Sequence, residues 1–306
     1  MRNAFISKLF ELAQKDKDIV LLTADIGYGV LDQFFSELPD QIINCGISEA
    51  NMTGVAAGLS LRDKKCFTYT IIPFLTMRCL EQIRVDICIQ NLNVKIVGVG
   101  GGFAYGELGP THHAIEDISL LRSLPNMTVL VPADPCETSC IVESLHEVDG
   151  PVYIRLGKSG EKNVNELPKG FSLGKGKVVK SGSDVTLISC GPILNRALNV
   201  SKRLEADGIL VELISINTIK PLDNDLILGS LEKTGKIISV EEHSIVGGLG
   251  SAIAELIAES NITCSDFVRL GIRDTYTFEV GDQDYLLDYE GLSEEAIYKQ
   301  VTDYCN

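Results

Sequence analysis

Residues 44–61, NCGISEANMTGVAAGLSL, carry the strand-like run QIINC (41–45) into an Ala- and Gly-rich helix and set one carboxylate, Glu49, at the joint. A short apolar run that gives way within a few residues to helical spacing marks a strand feeding a helix. An acid in the first turn suits the positive end of the helix dipole, and such acids are common. The neighbours of Glu49 are small and apolar, which also fits a carboxylate meeting a protonatable ring nitrogen in a dry pocket. The residues alone leave both readings open.

The same alternation spreads outward. IVLLTAD (19–25), QIINCG (41–46), KCFTYTII (65–72), VKIVGVGG (94–101), MTVLVPAD (127–134) and PVYIRLG (151–157) read as strands, with amphipathic stretches such as 80–92 and 136–148 between them. Strand–helix alternation predicts a parallel sheet covered on both faces. The segment GKSGEKNVNELPKGFSLGKGK (157–177) is polar, rich in Gly and Lys, and without periodicity. A second alternation follows, with strands at 184–191, 209–216 and 236–243 and helices at 193–207, 223–234 and 249–260. The expected fold class is therefore α/β with two domains, each a mainly parallel sheet covered by helices. Residues 1–160 form the first, 161–178 the linker and 179–306 the second.

The chain has 306 residues, 45% of them hydrophobic, enough to bury two cores. A net charge of −15 argues against a nucleic-acid surface. Nine scattered cysteines include Cys136 and Cys140, four apart, but no second pair or nearby His completes a metal set, so no metal ligands are expected here. Free thiols of this kind fit a reducing cytoplasm. The N-terminal MRNAFISKLFELAQKD reads as an amphipathic helix rather than a signal peptide, and no apolar run reaches the roughly 18 residues of a membrane span.

The loop GGGFAYGELGPTHHAIEDISLLRSLPNMTVLVPADP (100–135) holds His112 and His113, two of the four histidines, between a Gly-rich segment and a helix. Histidine is the usual acid–base group near neutral pH, while Thr111 as a helix cap would make both of them ordinary first-turn residues. HSIVGGLGSA (243–252) lacks the spacing of a phosphate loop, and His243 reads as structural.

Taken in order, GISEANMTGVAAGLSL (46–61), GPTHHAIEDISLLRSLPNMTVLVPAD (109–134), IKPLD (219–223) and ISVEEHSIVGGLGSAIAE (238–255) resemble the C-terminal half of a transketolase of the type split over two polypeptides. The resemblance implies a pyrimidine-binding domain, a transketolase C-terminal domain and thiamine diphosphate as cofactor. It makes Glu49 the acid that bonds the aminopyrimidine nitrogen N1′ and favours the imino form. Phe74, in TYTIIPFLTM, matches one ring-clamping aromatic, and the other falls on Ile71. Asp25, in TADIG, matches an acid near the thiazolium. His112 matches a histidine that bonds an oxygen of the donor substrate, while His113 falls where the family has Gln and is given no role.

Three further positions depart from the family. Leu108 stands where an Asp is usual, and Gly100 falls on a substrate-binding His. Lys158, in RLGKSG, replaces an Arg that holds the acceptor's phosphate, with Arg155 as a nearby alternative. Gly-Asp-Gly is absent, and VGDQD (280–284) is the nearest match. The resemblance therefore implies that Mg²⁺ (or Ca²⁺) and the diphosphate are held by an N-terminal transketolase subunit, in an α2β2 assembly. The implied reaction is transfer of a two-carbon ketol unit between sugars or sugar phosphates, in a specialised pathway. The rival enzymes are a 1-deoxyxylulose-5-phosphate-synthase-like carboligase and a 2-oxoacid dehydrogenase β subunit. A regulatory or scaffolding subunit is the rival outside catalysis.

Overall fold

A computed structural model describes residues 1–164, 167 and 169–305. The first half runs α1 (Arg2–Ala13), β1 (Ile19–Thr23), α2 (Asp32–Glu37), β2 (Ile42–Asn44), α3 (Glu49–Ser60), β3 (Lys65–Ile71), α4 (Ile72–Thr76), α5 (Leu80–Gln82), β4 (Val94–Val99), α6 (Asp117–Arg122), β5 (Thr128–Leu130), α7 (Pro135–Leu145) and β6 (Val152–Leu156). The second runs β7 (Lys177–Lys180), β8 (Val185–Ser189), α8 (Leu194–Ala206), β9 (Val211–Ser215), β10 (Thr218–Lys220), α9 (Asn224–Thr234), β11 (Lys236–Ser244), α10 (Leu249–Glu259), β12 (Asp266–Ile272), α11 (Gln283–Tyr289) and α12 (Glu294–Cys305).

Among the described residues the first sheet has the order β10-β5-β6-β4-β3-β1-β2. Its strands are parallel except β10 at one edge, with Leu21 opposite Phe67, Tyr69 opposite Val97 and Val97 opposite Ile154. The second has the order β12-β11-β8-β9-β7, parallel except for β7. The α/β class and the two mainly parallel sheets are as the alternation predicted. Strands such as β1, β6, β8 and β9 are buried along their whole length, because helices cover both faces. Each Leu or Ile so removed from water contributes roughly 1.5–3 kcal/mol.

Three differences have physical causes. The helix expected over 80–92 is broken: α5 gives way to a π-helical turn, Ile83–Cys88, whose wider backbone brings Ile83, Ile87 and Cys88 into the core. β7 begins at Lys177, inside the segment expected as linker (161–178), because it has a partner in β9. Residues 165, 166 and 168 of that segment lie outside the described residues. Finally β10, from the second half, joins the first sheet, and one apolar core passes between the halves through Val131, Ile188, Cys190, Ile214, Ile216 and Ile219. No described helix is long and apolar enough to cross a membrane.

Local chemistry fixes the helices. α1 buries Phe5, Ile6, Leu9, Phe10 and Ala13 along one face. α7 starts on Asp134, whose Oδ1 accepts from the Glu137 amide at 2.7 Å, with Pro135 in the first position.

Candidate functional site

The turn between β2 and α3 is organised by Asn44. Its Oδ1 accepts from the amides of Asp25 (3.1 Å) and Gly46 (3.0 Å), and its Nδ2 donates to Asp25 Oδ1 at 3.0 Å. Gly46 takes φ +69°, a left-handed conformation that glycine adopts without strain. The chain thereby turns so that Glu49, the first residue of α3, points inward and is 3% exposed. A dipole-stabilising acid has no need of such burial. Asp25 lies at the end of β1, exposed and with φ +54°, held in place by Asn44.

A row of side chains leads away from Glu49. Arg78 Nη1 donates to Glu49 Oε2 at 2.7 Å, and the guanidinium carbon lies 4.8 Å from the Phe74 ring centroid. Phe74, half-buried on α4, meets His112 edge to face at 5.1 Å, while Ile71 is half-buried at the head of the same helix. His112 Nδ1 lies 3.0 Å from Thr111 Oγ1, and burial holds its imidazole below the usual 6.5. Beyond it, at 6.4 Å, stands Tyr105, with Lys158 Nζ 4.9 Å from that ring's centroid. Lys158 and Arg2 line one cavity of about 220 Å³ with Ser159 and Gly160. Arg2 Nε is itself buried and has no hydrogen-bond partner. Leu108, at the end of the short turn Gly106–Leu108, is 55% exposed.

Arg155 requires a correction as a phosphate ligand. It is buried at the floor of the sheet, where Nε donates to Asp117 Oδ2 (2.9 Å) and Nη2 donates to the carbonyls of Ala114 (2.7 Å) and Glu242 (2.9 Å). Tyr153 donates to the same Asp117 oxygen at 2.6 Å. The guanidinium is committed to tying the 100–116 loop to the second half, and Glu242 completes the tie by accepting from the Phe103 amide at 2.7 Å. His113 is buried edge to face on Phe103 at 4.9 Å. His243 is fully buried, and burial pushes its imidazole down to about 4; beside it, burial pushes the Glu241 carboxyl up to about 7. A larger cleft of about 400 Å³ between the halves is lined by none of the residues expected from sequence.

Sequence reasoning missed Arg78, Arg2 and Tyr105. Arg2 reads as a polar position of the N-terminal amphipathic helix, and Arg78 falls in the turn between α4 and α5. The pairing of Arg78 with Glu49 and the place of Arg2 in the lining shared with Lys158 are set by tertiary packing that no local pattern announces. Tyr105 had a signal: an aromatic residue five positions beyond the unexpected Gly100. Among the described residues no group of three or more His, Cys, Asp or Glu side chains is placed to hold a metal ion.

Residues 1–161 match the transketolase pyrimidine-binding domain and residues 174–297 the transketolase C-terminal domain. An apulose-4-phosphate transketolase subunit of Phocaeicola vulgatus is 38% identical over 99% of this chain and 96% of its own length. The 6-deoxy-6-sulfo-D-fructose transketolase subunit SqwH of a Clostridium species is 36% identical over 98% and 92%. Among solved structures, a split-gene transketolase described as an inactive β4 tetramer superposes with a TM-score of 0.88 at 39% identity, covering 99% of this chain and 96% of that one. With the pyrimidine-binding and C-terminal domains spanning nearly all of its length, the chain belongs to the transketolase family, as the subunit of a split, thiamine-diphosphate-dependent enzyme that carries those two domains.

Proposed function

We propose that this chain works with a second subunit to transfer a two-carbon ketol unit between sugars or sugar phosphates, in a specialised sugar pathway like those named for its relatives. The observation that carries the reading is the continuous row Glu49–Arg78–Phe74–His112–Tyr105–Lys158, which puts a buried acid at one end and a cation at the other.

The residues present fit one half of the cofactor. Glu49 is a buried carboxylate beside the half-buried ring of Phe74, the chemistry needed to accept a hydrogen bond from a protonated ring nitrogen and to face an aromatic heterocycle. Thiamine diphosphate, when bound, supplies a carbon nucleophile and an electron sink. Glu49 would accept the hydrogen bond from a protonated N1′, and its burial would strengthen that bond by excluding water. Phe74 and Ile71 would hold the pyrimidine ring, and Asp25, set by Asn44, would serve the thiazolium end. His112, half-buried and so biased towards the neutral ring, would bond an oxygen of the donor. Lys158 and Arg2 receive the acceptor's terminal anion.

The diphosphate and its Mg²⁺ or Ca²⁺ need hard oxygen ligands, and in this reading an N-terminal transketolase subunit provides them within an α2β2 assembly. A reducing cytoplasm suits the nine unpaired cysteines. The test is assembly. The purified chain alone should show no ketol transfer, and adding a chain that carries the metal–diphosphate site should create it. Robust turnover by the 306-residue chain alone would overturn the proposal.

A further inference from the structure

Gly100 and Tyr105 form one device. Gly100 has φ +90°, and a Cβ there would lie 2.2 Å from Tyr105 Cε2 and 2.3 Å from Cδ2. The ring therefore lies directly on the Gly100 backbone, and a side chain at 100 cannot coexist with it. The turn that places the ring is itself braced. Gly106 donates to Phe103 O at 2.8 Å, Leu108 donates to Tyr105 O at 2.9 Å, and a Cβ on Gly106 would meet Leu286 and the Gly281 carbonyl of the second half at 2.5 and 2.6 Å. From this seat the ring has His112 at one edge and the Lys158 ammonium over its face.

We propose, building on the reaction assigned above, that Tyr105 is the specificity-determining residue at the acceptor end of the site, its phenol bonding the sugar hydroxyl next to the terminal anion and its ring fixing the Lys158 ammonium that binds that anion. A lysine ammonium is a point charge on a flexible stem and lacks the planar fork of arginine. An aromatic face under it restores a preferred position through attraction to the ring's negative face. Burial raises the phenol above its ordinary 10.0, so the hydroxyl keeps its proton and remains a donor at neutral pH. Removing the hydroxyl leaves the ring in place and deletes one bond. Removing the ring also frees Lys158. The two truncations therefore report on separate parts of the device.

The experiment uses the assembled enzyme with D-ribose 5-phosphate and D-ribose, read by calorimetric binding and by acceptor kinetics. Tyr105→Phe should weaken ribose 5-phosphate binding and raise its KM about tenfold, the scale of one hydrogen bond, with kcat changed less than about twofold. Tyr105→Ala should also cut the preference for ribose 5-phosphate over ribose at least about tenfold, and Lys158→Gln added to it should cost little more. Thermal melting identifies a variant that fails to fold, and Tyr105→Phe, which loses one oxygen, keeps the test alive if the alanine variant does. Wild-type binding without ketol transfer counts against the reaction assignment alone. Equal ribose 5-phosphate binding by wild type and Tyr105→Phe, or no wild-type preference for ribose 5-phosphate over ribose, overturns the role of Tyr105.

Discussion

Arg78 donates from Nη1 to Oε2 of Glu49 at 2.7 Å, joining a side chain that is 51% exposed to one that is 3% exposed. The pair is lopsided: the acid is committed to the interior, while the base keeps much of its hydration. Its two halves should therefore fail differently. Arg78→Met leaves a buried acid without its partner and should cost about 1 kcal/mol, discounted for the solvent around the guanidinium, or a few degrees in melting midpoint. Glu49→Gln is nearly isosteric and should leave the midpoint close to wild type while slowing ketol transfer by the assembled enzyme about a hundredfold or more. Melting curves and initial rates on both variants decide it. Unchanged turnover in Glu49→Gln would reduce Glu49 to a helix-end residue.

β1 to β6, β8, β9 and β11 were legible because each is an apolar run bounded by turn residues, and Glu49 stands out as an acid beside such a run. β12, an edge strand interrupted by Asp266 and Arg269 and largely unburied, went unread. Arg155 was misread because its fate is set by Asp117, thirty-eight positions away, and burial at that range leaves no local trace. The π-helical turn at Ile83–Cys88 was hidden for a related reason. Its apolar residues fit a regular helix equally well, and only packing selects the wider turn. β10 escaped notice because three residues make no periodicity, and its partner β5 belongs to the other half of the chain.

His112 gives the site a pH dependence of known sign. Burial disfavours its charged form and moves the imidazole below 6.5, so the neutral ring persists as pH falls through that value. An imidazolium then appears only under more acidic conditions, and the unfolded chain takes up the proton first. The NMR titration midpoint of His112 in the folded chain should accordingly lie below 6.5. The acid limb of kcat/KM for the assembled enzyme should follow that midpoint and change in His112→Gln. A midpoint above 6.5 would mean that a carboxylate, not burial, governs this ring.

Leu108 bears on which sugar donates. The family resemblance sets a carboxylate at this position, where it accepts a hydrogen bond from a donor hydroxyl. Leucine has no acceptor, and at 55% exposed it sits on the rim of the loop that carries His112 rather than in the core. A hydroxyl set against it gives up part of its water without gaining a partner, at a cost of about 1 kcal/mol at so exposed a position. Donors lacking that hydroxyl, or carrying it in the other configuration, should therefore compete better here than in a site built with the acid. Leu108→Asp should restore selection for xylulose 5-phosphate over deoxy and epimeric ketoses by about tenfold, and an exposed substitution of this kind should move stability by no more than about 0.5 kcal/mol. The measurement is a competition of donors on the assembled wild type and variant, with melting midpoints alongside. If wild type already strongly prefers xylulose 5-phosphate and the variant keeps the same ranking, position 108 does not select the donor, and the specialised pathway must be sought in the acceptor end around Tyr105 and Lys158.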